Sequence, residues 1–365
     1  MKNSLYRLLL TLLALISAQS AIGQETPPIT LTLLGEQQLE TGTLYEDTEV
    51  GGLSGITYDA DRDVYYAISD DRSALGPARF YTLSLDISET AFSGLTITDT
   101  TPILQEDGTE FALNSVDPEA IRYIQATDSL LWSSESDAEE MPFVREMALD
   151  GTFISEYVLP AYYLPDVEMG VGVRSNNAFE AVALSPDEQL VYIGTESALQ
   201  QDGDISTLES GSPSRILIYD RMTGNVAAEY IYEVGPIPVS ADLPTTTQDN
   251  GLVALLPYDE TQLVAIERSF VLGVGNTIAI YLVDFTEATN IAGESSIAEL
   301  DFTPVAKTHL LTLEEGTFGL DVDNIEGATW GPTINEQQTL VLVSDNNFNA
   351  PAQMYTQFIV LLVGS

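Results

Sequence analysis

Residues 178–197 read AFEAVALSPDEQLVYIGTES. Two short apolar runs, 181–184 and 190–193, flank the polar stretch 185–189, and a glutamate stands before the first run and after the second. Runs this short, ending in turn-forming residues, spell two strands joined by a solvated hairpin. A lone carboxylate at the mouth of a buried strand is costly, so Glu180 and Glu196 need water, a cation or a basic side chain.

The same plan recurs as GLSGITYDADRDVYYAISDD from Gly52, DPEAIRYIQATDSLLWSSES from Asp117, NGLVALLPYDETQLVAIERS from Asn250 and NIEGATWGPTINEQQTLVLVSDN from Asn324. Aligning Ser54, Glu119, Glu180, Asn250 and Glu326 gives spacings of 65, 61, 70 and 76 residues. That period is long for a solenoid and fits a four-stranded propeller blade with generous loops. Each of the first four pairs is followed by two more strand-like runs, such as RILIYD and AAEYIYEV after the third. The last pair has only QFIVLLV left, and ITLTLLGEQQLE near the N-terminus supplies its outer partner. The chain therefore reads as an all-β, five-bladed β-propeller closed by its N- and C-terminal strands, with a six-bladed ring as the alternative.

In a propeller the first strand of every blade lines the central channel. Symmetry then brings Glu119, Glu180 and Glu326 to one rim, and Asp70, Glu135, Glu196, Glu267 and Asp345, at the ends of second strands, to another. Crowded carboxylates repel and call for a cation or a guanidinium.

The start, MKNSLYRLLLTLLALISAQSAIG, has a basic head, an apolar core and small residues at a cleavage position. This predicts a secretory signal peptide over 1–23 and a single domain over 24–365, secreted or periplasmic, with no membrane span. Removing Lys2 and Arg7 leaves ten basic against 56 acidic residues, a formal −46. Nucleic acid is excluded as a partner by that charge. The expected state is a monomer.

Cysteine is absent and His309 is the sole histidine. Zinc and thiol chemistry lose their ligands, no Arg-His-Gly phosphatase signature exists, and no G-x-S-x-G elbow presents a serine. Oxygen ligands remain, the donor set of calcium. The candidate metal ligands are Glu119, Asn177, Glu180, Asp323, Asn324 and Glu326, with Asp117, Asn176 and Asp321 beside them. Pairing with arginine is the competing fate of these acids. DADRDVYYAISD imitates a calcium loop but lacks its central glycine, and reads better as a hairpin turn. Among the cations, Arg174 lies six residues before Glu180, Arg268 follows Glu267 and Arg72 follows Asp70–Asp71, and the Asp202–Gly203–Asp204 loop is either a pocket edge or a turn.

The segments RSNNAFE (174–180) and SDNNF (344–348), with GLSG and LVAIERS, resemble the phytase-like domain family, described by an esterase-like activity. The likeness runs from about Gly51 to the last strand. With the oxygen ligands it suggests an exported, calcium-dependent hydrolase of small-molecule phosphate or carboxylate esters. Glu180 or Glu326 would be the general base, and Arg174 and Arg268 would counter the substrate's charge. The alternative is a non-catalytic propeller that calcium stabilises and that binds a ligand or protein partner.

Overall fold

In the computed structural model, which describes residues 29–241 and 247–364, every apolar run of the repeats is a strand. The expected leader, 1–23, lies outside the described residues. The chain enters through β1 (Thr30–Glu40) and a small hairpin, β2 (Leu44–Tyr45) and β3 (Thr48–Glu49). Blade I follows as β4 (Leu53–Asp59), β5 (Val64–Ser69), β6 (Arg79–Ile87) and β7 (Phe92–Pro102). Blade II is β8 (Val116–Ile124), β9 (Ser129–Asp137), β10 (Phe143–Ala148) and β11 (Phe153–Glu156). Blade III is β12 (Phe179–Leu184), β13 (Leu190–Thr195), β14 (Ser212–Asp220) and β15 (Asn225–Val234). Blade IV is β16 (Gln248–Pro257), β17 (Gln262–Val271), β18 (Gly275–Asp284) and β19 (Ala306–Leu313). Blade V has only β20 (Ile325–Trp330), β21 (Gln338–Ser344) and β22 (Tyr355–Gly364) from its own stretch of chain.

Its fourth strand is β1, antiparallel to β22 from Thr30 opposite Gly364 to Glu40 opposite Tyr355. Five four-stranded blades result, as the repeats predict, and the six-bladed alternative falls away. The strand pairing across the termini replaces the open edge at which a ring would otherwise come apart.

Each interface between neighbouring blades carries its own apolar cluster. Tyr66, Phe80, Ile121 and Trp132 join blades I and II, and Val182, Ile193, Leu131 and Val144 join II and III. Leu255, Ala265, Ile216 and Tyr232 join III and IV, Ile266, Ile280, Leu340 and Leu342 join IV and V, and Leu53, Tyr81, Val341 and Phe358 join V to I. These near-continuous buried runs suit strands covered on both faces, and they stabilise a chain without disulfides.

One local device repeats. The pairing of first and second strands shifts register between Leu53 and Gly55, Pro118 and Ile121, Phe179 and Ala181, Leu252 and Ala254, and Ile325 and Gly327. Such a bulge leaves a residue outside the ladder and re-aims its side chain. Ser54, Glu119, Glu180, Val253 and Glu326 therefore occupy equivalent places. This corrects the sequence alignment in blade IV: Asn250 lies three residues before the bulge, because β16 begins earlier than its apolar run.

Deeper in the channel stands Arg122, three residues beyond Glu119 on β8. Its guanidinium donates to the carbonyls of Ile56 in blade I (2.8 Å), Ile121 (2.7 Å) and Leu255 in blade IV (3.0 Å). Burial without a carboxylate partner pushes it down to about 10. Its bonds tie the inner strands of blades I, II and IV together beneath the acids.

Candidate functional site at the channel mouth

The mouth is a cavity of about 850 Å³. Glu119, Glu180 and Glu326 reach it from their bulges, while Asp70, Glu135 and Asp345 reach it from the ends of second strands. Asp249, Asp323 and Asn324 add further oxygens, and Arg72 and Arg268 are its guanidiniums. Two trios are tight enough to share an ion: Asp117, Glu119 and Glu135, and Glu135, Glu180 and Glu196, each offering oxygens within 4.8 Å of one another. Glu135 belongs to both. Glycine makes room for this crowding, since a Cβ on Gly52 would strike the Asp70 carboxylate and one on Gly251 the Glu196 carboxylate. Gly52 also has φ +61°, a conformation that side chains disfavour.

The cations are spread thin. Arg72 grips Asp117 two-fold, at 2.7 and 2.6 Å, and donates to Asn176 Oδ1 at 2.9 Å. Arg268 lies 2.7 Å from Asp249, 3.3 Å from Glu326 and 3.5 Å from Glu196. Glu326 also accepts from Asn324 Nδ2 at 2.9 Å, Glu135 from the Ala178 amide and Glu196 from the Asn177 amide group. Glu180 Oε2 is buried and, among the described residues, has no hydrogen-bond donor.

Burial first, and then the neighbouring carboxylates, hold Glu119, Glu135, Glu180 and Asp345 well above the usual carboxylate range. Burial, with Glu326 and Asp117 nearby, raises Asp70 to about 7. Asp117 rises to about 6 and Glu196 to about 7, burial again outweighing the arginine beside each. Burial works against the Arg268 charge, yet Asp249, Glu326 and Glu196 together hold its guanidinium above its ordinary range. A bare cluster of this kind keeps protons that a hard cation would displace. The donor set is oxygen throughout, and the donorless Glu180 oxygen fits a cation ligand.

Of the residues expected from sequence, Glu119, Glu180, Asp323, Asn324, Glu326 and Arg268 line the cavity. Asn177 stands behind it, its amide nitrogen orienting Glu196. Arg174 turns away, because the tight turn that pairs it with Asn177 aims its guanidinium at the carbonyls of Ala198 (3.2 Å) and Gly203 (2.5 Å). Its expected place opposite a substrate's charge is thus corrected: it is a brace for the 198–203 loop. That loop does not edge the pocket either, since Asp202 is buried against Arg215 at 2.6 Å and Arg215 also pairs with Glu229. Glu267 leaves the second acidic ring, drawn outward by Tyr232 (2.8 Å), Lys307 and Asn250. His309 meets Thr312 on an outer strand, and the 59–63 segment is a hairpin turn in which Arg62 bonds Asp59. Ligand-grade positions at Glu135 and Glu196 were visible as acids closing second strands, although nothing local marked their mutual approach.

Among solved structures, this chain is similar to the Dos1 propeller (8% identity, 85% of this chain and 67% of that one, TM-score 0.36). It is also similar to the Pseudomonas aeruginosa periplasmic gluconolactonase PpgL (11%, 81% and 82%, 0.36). A third is the tail fibre of Staphylococcus aureus phage P68 (9%, 92% and 52%, 0.41), of which the chain spans about half. Likenesses this distant carry no chemistry. No curated protein matches the chain, and among the described residues no helix is long and apolar enough to cross a membrane. The phytase-like family, described by the esterase-like activity of phytase, matches residues 48–348, from the hairpin before blade I to the SDNNF segment at the mouth. The chain belongs to that family.

Proposed function

We propose that the protein is an exported hydrolase of phosphate or carboxylate esters that works with calcium at the channel mouth. The observation that carries this reading is Glu135 shared between two carboxylate trios, beside a buried Glu180 oxygen that no donor reaches. Asp117, Glu119, Glu135, Glu180 and Glu196 would hold the ions, with Asp323, Asn324 and Asp345 at the rim. Bound calcium would polarise the ester and acidify a coordinated water.

The chain's own groups do the rest. Glu326, kept in place by Arg268 and Asn324 and raised above its ordinary range by burial, takes a proton from the attacking water. Arg268 faces the charge that develops on the reacting group. Arg72 fixes Asp117, and the Ala178 amide fixes Glu135.

Hydrolysis of p-nitrophenyl acetate and p-nitrophenyl phosphate, followed with calcium and with a chelator, tests the reading. Turnover of at least one ester that stops on chelation and returns on re-addition is expected; turnover indifferent to chelator sinks it. The three acids that Arg268 already holds favour a second reading, in which the ions only brace the blades. Calcium-dependent stability with no turnover of any ester would select it.

A further inference from the structure

Three residues that line the mouth each carry a buried polar atom with no hydrogen-bond partner among the described residues: Glu180 Oε2, Arg268 Nε and Asn276 Oδ1. The Glu180 oxygen belongs with the ions; the other two atoms have no part in the hydrolase reading. Arg268 is 8% exposed, and its Nη atoms hold Asp249, Glu326 and Glu196. That leaves its Nε–H a donor without an acceptor, and Asn276 Oδ1 an acceptor without a donor. Both residues sit on one face of blade IV. Asn276 pairs with Phe270 across β17 and β18, Arg268 pairs with Ile278, and residues two apart on a strand share a face. Diagonal neighbours of this kind lie about 7–8 Å apart, so one small molecule can reach both.

The chemistry of the missing partner follows from these two atoms. An anion would accept from Arg268 Nε but has no proton for Asn276 Oδ1, and an ammonium group has the reverse defect. A hydroxyl group donates and accepts at once. The charge balance agrees: nine carboxylates and two guanidiniums line the cavity, and both guanidiniums already hold acids. Away from the ions, an anionic group would meet a negative field.

Rings supply the apolar complement. Phe270 lies beside Asn276, and Phe348 lines the cavity from blade V. Asn347 and Phe348 have φ of +48° and +50°, rare for a bulky side chain. Asp345 Oδ1 accepts the Asn347 amide at 2.7 Å and Asn346 Oδ1 the Phe348 amide at 3.0 Å, which holds this strained turn and keeps the ring at the mouth. The face of an aromatic ring is negative and attracts the weakly positive C–H hydrogens of a sugar. We propose that the mouth binds a neutral saccharide. Hydroxyl groups of one sugar unit accept from Arg268 Nε and donate to Asn276 Oδ1, its C–H face packs on Phe270, and Phe348 offers a second ring. This goes beyond the hydrolase reading and does not rest on it, because binding needs no turnover.

The test titrates the full chain, with calcium present, against both anomers of the methyl glycosides of glucose, galactose and mannose, read by calorimetry and saturation-transfer NMR. Of whichever sugar binds, the amino and 6-phosphorylated forms are titrated beside it. At least one neutral glycoside should bind at about 1 mM or tighter, and more tightly than its charged forms. Asn276→Ala should weaken that binding about tenfold, the scale of one lost hydrogen bond. It should leave the unfolding midpoint in place, because Asn276 Oδ1 holds no protein group. Phe270→Leu, which keeps apolar bulk without a ring face, should weaken binding about fivefold, and Phe270→Tyr should restore it. No neutral glycoside bound at about 10 mM, tighter binding of the amine or the phosphate, or an affinity that Asn276→Ala leaves unchanged overturns the proposal. Failure here leaves the hydrolase reading standing, and a protein that turns over no ester leaves this one standing.

Discussion

Chelating calcium is expected to lower the unfolding midpoint, and to lower it more at about pH 8 than at about pH 5. The sign follows from the raised carboxyl groups. Asp117 at about 6, and Asp70 and Glu196 at about 7, hold protons in the folded protein that the unfolded chain has already released. Their contribution is complete below the ordinary carboxylate range and is lost as pH climbs through 6 to 7. The metal-free protein should therefore weaken from mildly acidic to mildly basic solution. Calcium should reverse the trend, because it would bind the ionised cluster and protons would compete less with it as pH rises. At about a hundredfold excess over Kd each ion adds roughly 2.7 kcal/mol. That is about 4 °C for a chain of this length. Differential scanning calorimetry across pH, with calcium and with chelator, makes the comparison. Parallel curves would remove the metal from the account.

Glu180→Gln and Glu135→Gln should each reduce calcium-dependent hydrolysis by ~10² or more, the cost of losing an essential electrostatic element. Glutamine is nearly isosteric and still accepts the Ala178 amide at position 135, so the blades stay packed. The two variants should differ in stoichiometry: Glu180→Gln weakens one ion, and Glu135→Gln weakens both, because its carboxylate belongs to both trios. Glu260→Gln, on the exposed turn between β16 and β17, is the control. Glu188 is unsuitable for that purpose, since it accepts the Gln125 and Ala126 amides at 2.8 and 2.9 Å and ties blade III to blade II. Steady-state kinetics and calorimetric calcium titration read both effects. Variants with unaltered kinetics and unaltered stoichiometry would leave the acids as mere strand ends.

The blades were legible because burial on both faces writes near-continuous apolar runs, and the turns between them recur with one composition. Ring closure was legible too: a three-stranded last repeat and an orphan strand at the start complete each other. The site was only half legible. Glu119, Glu180 and Glu326 follow from strand periodicity, since each occupies the same place in its repeat. Asn250 misled because polarity, and no backbone signal, suggested the match; the bulge at Val253 is a feature of pairing. Arg174 misled in the same way, its proximity to Glu180 in sequence being undone by a tight turn. Glu135 meets Glu180 and Glu196 only when blades II and III pack, and no local pattern encodes that approach. Arg122 reads as an ordinary strand residue until three blades surround it.

The central claim is that the channel mouth is a calcium centre, and anomalous diffraction from crystals grown in calcium tests it most directly. The account predicts an ion bonded to oxygens of Glu135, Glu180 and Glu196, with a coordination position open to the cavity. A mouth free of anomalous signal, its carboxyl groups settled by protons and Arg268 alone, would contradict it.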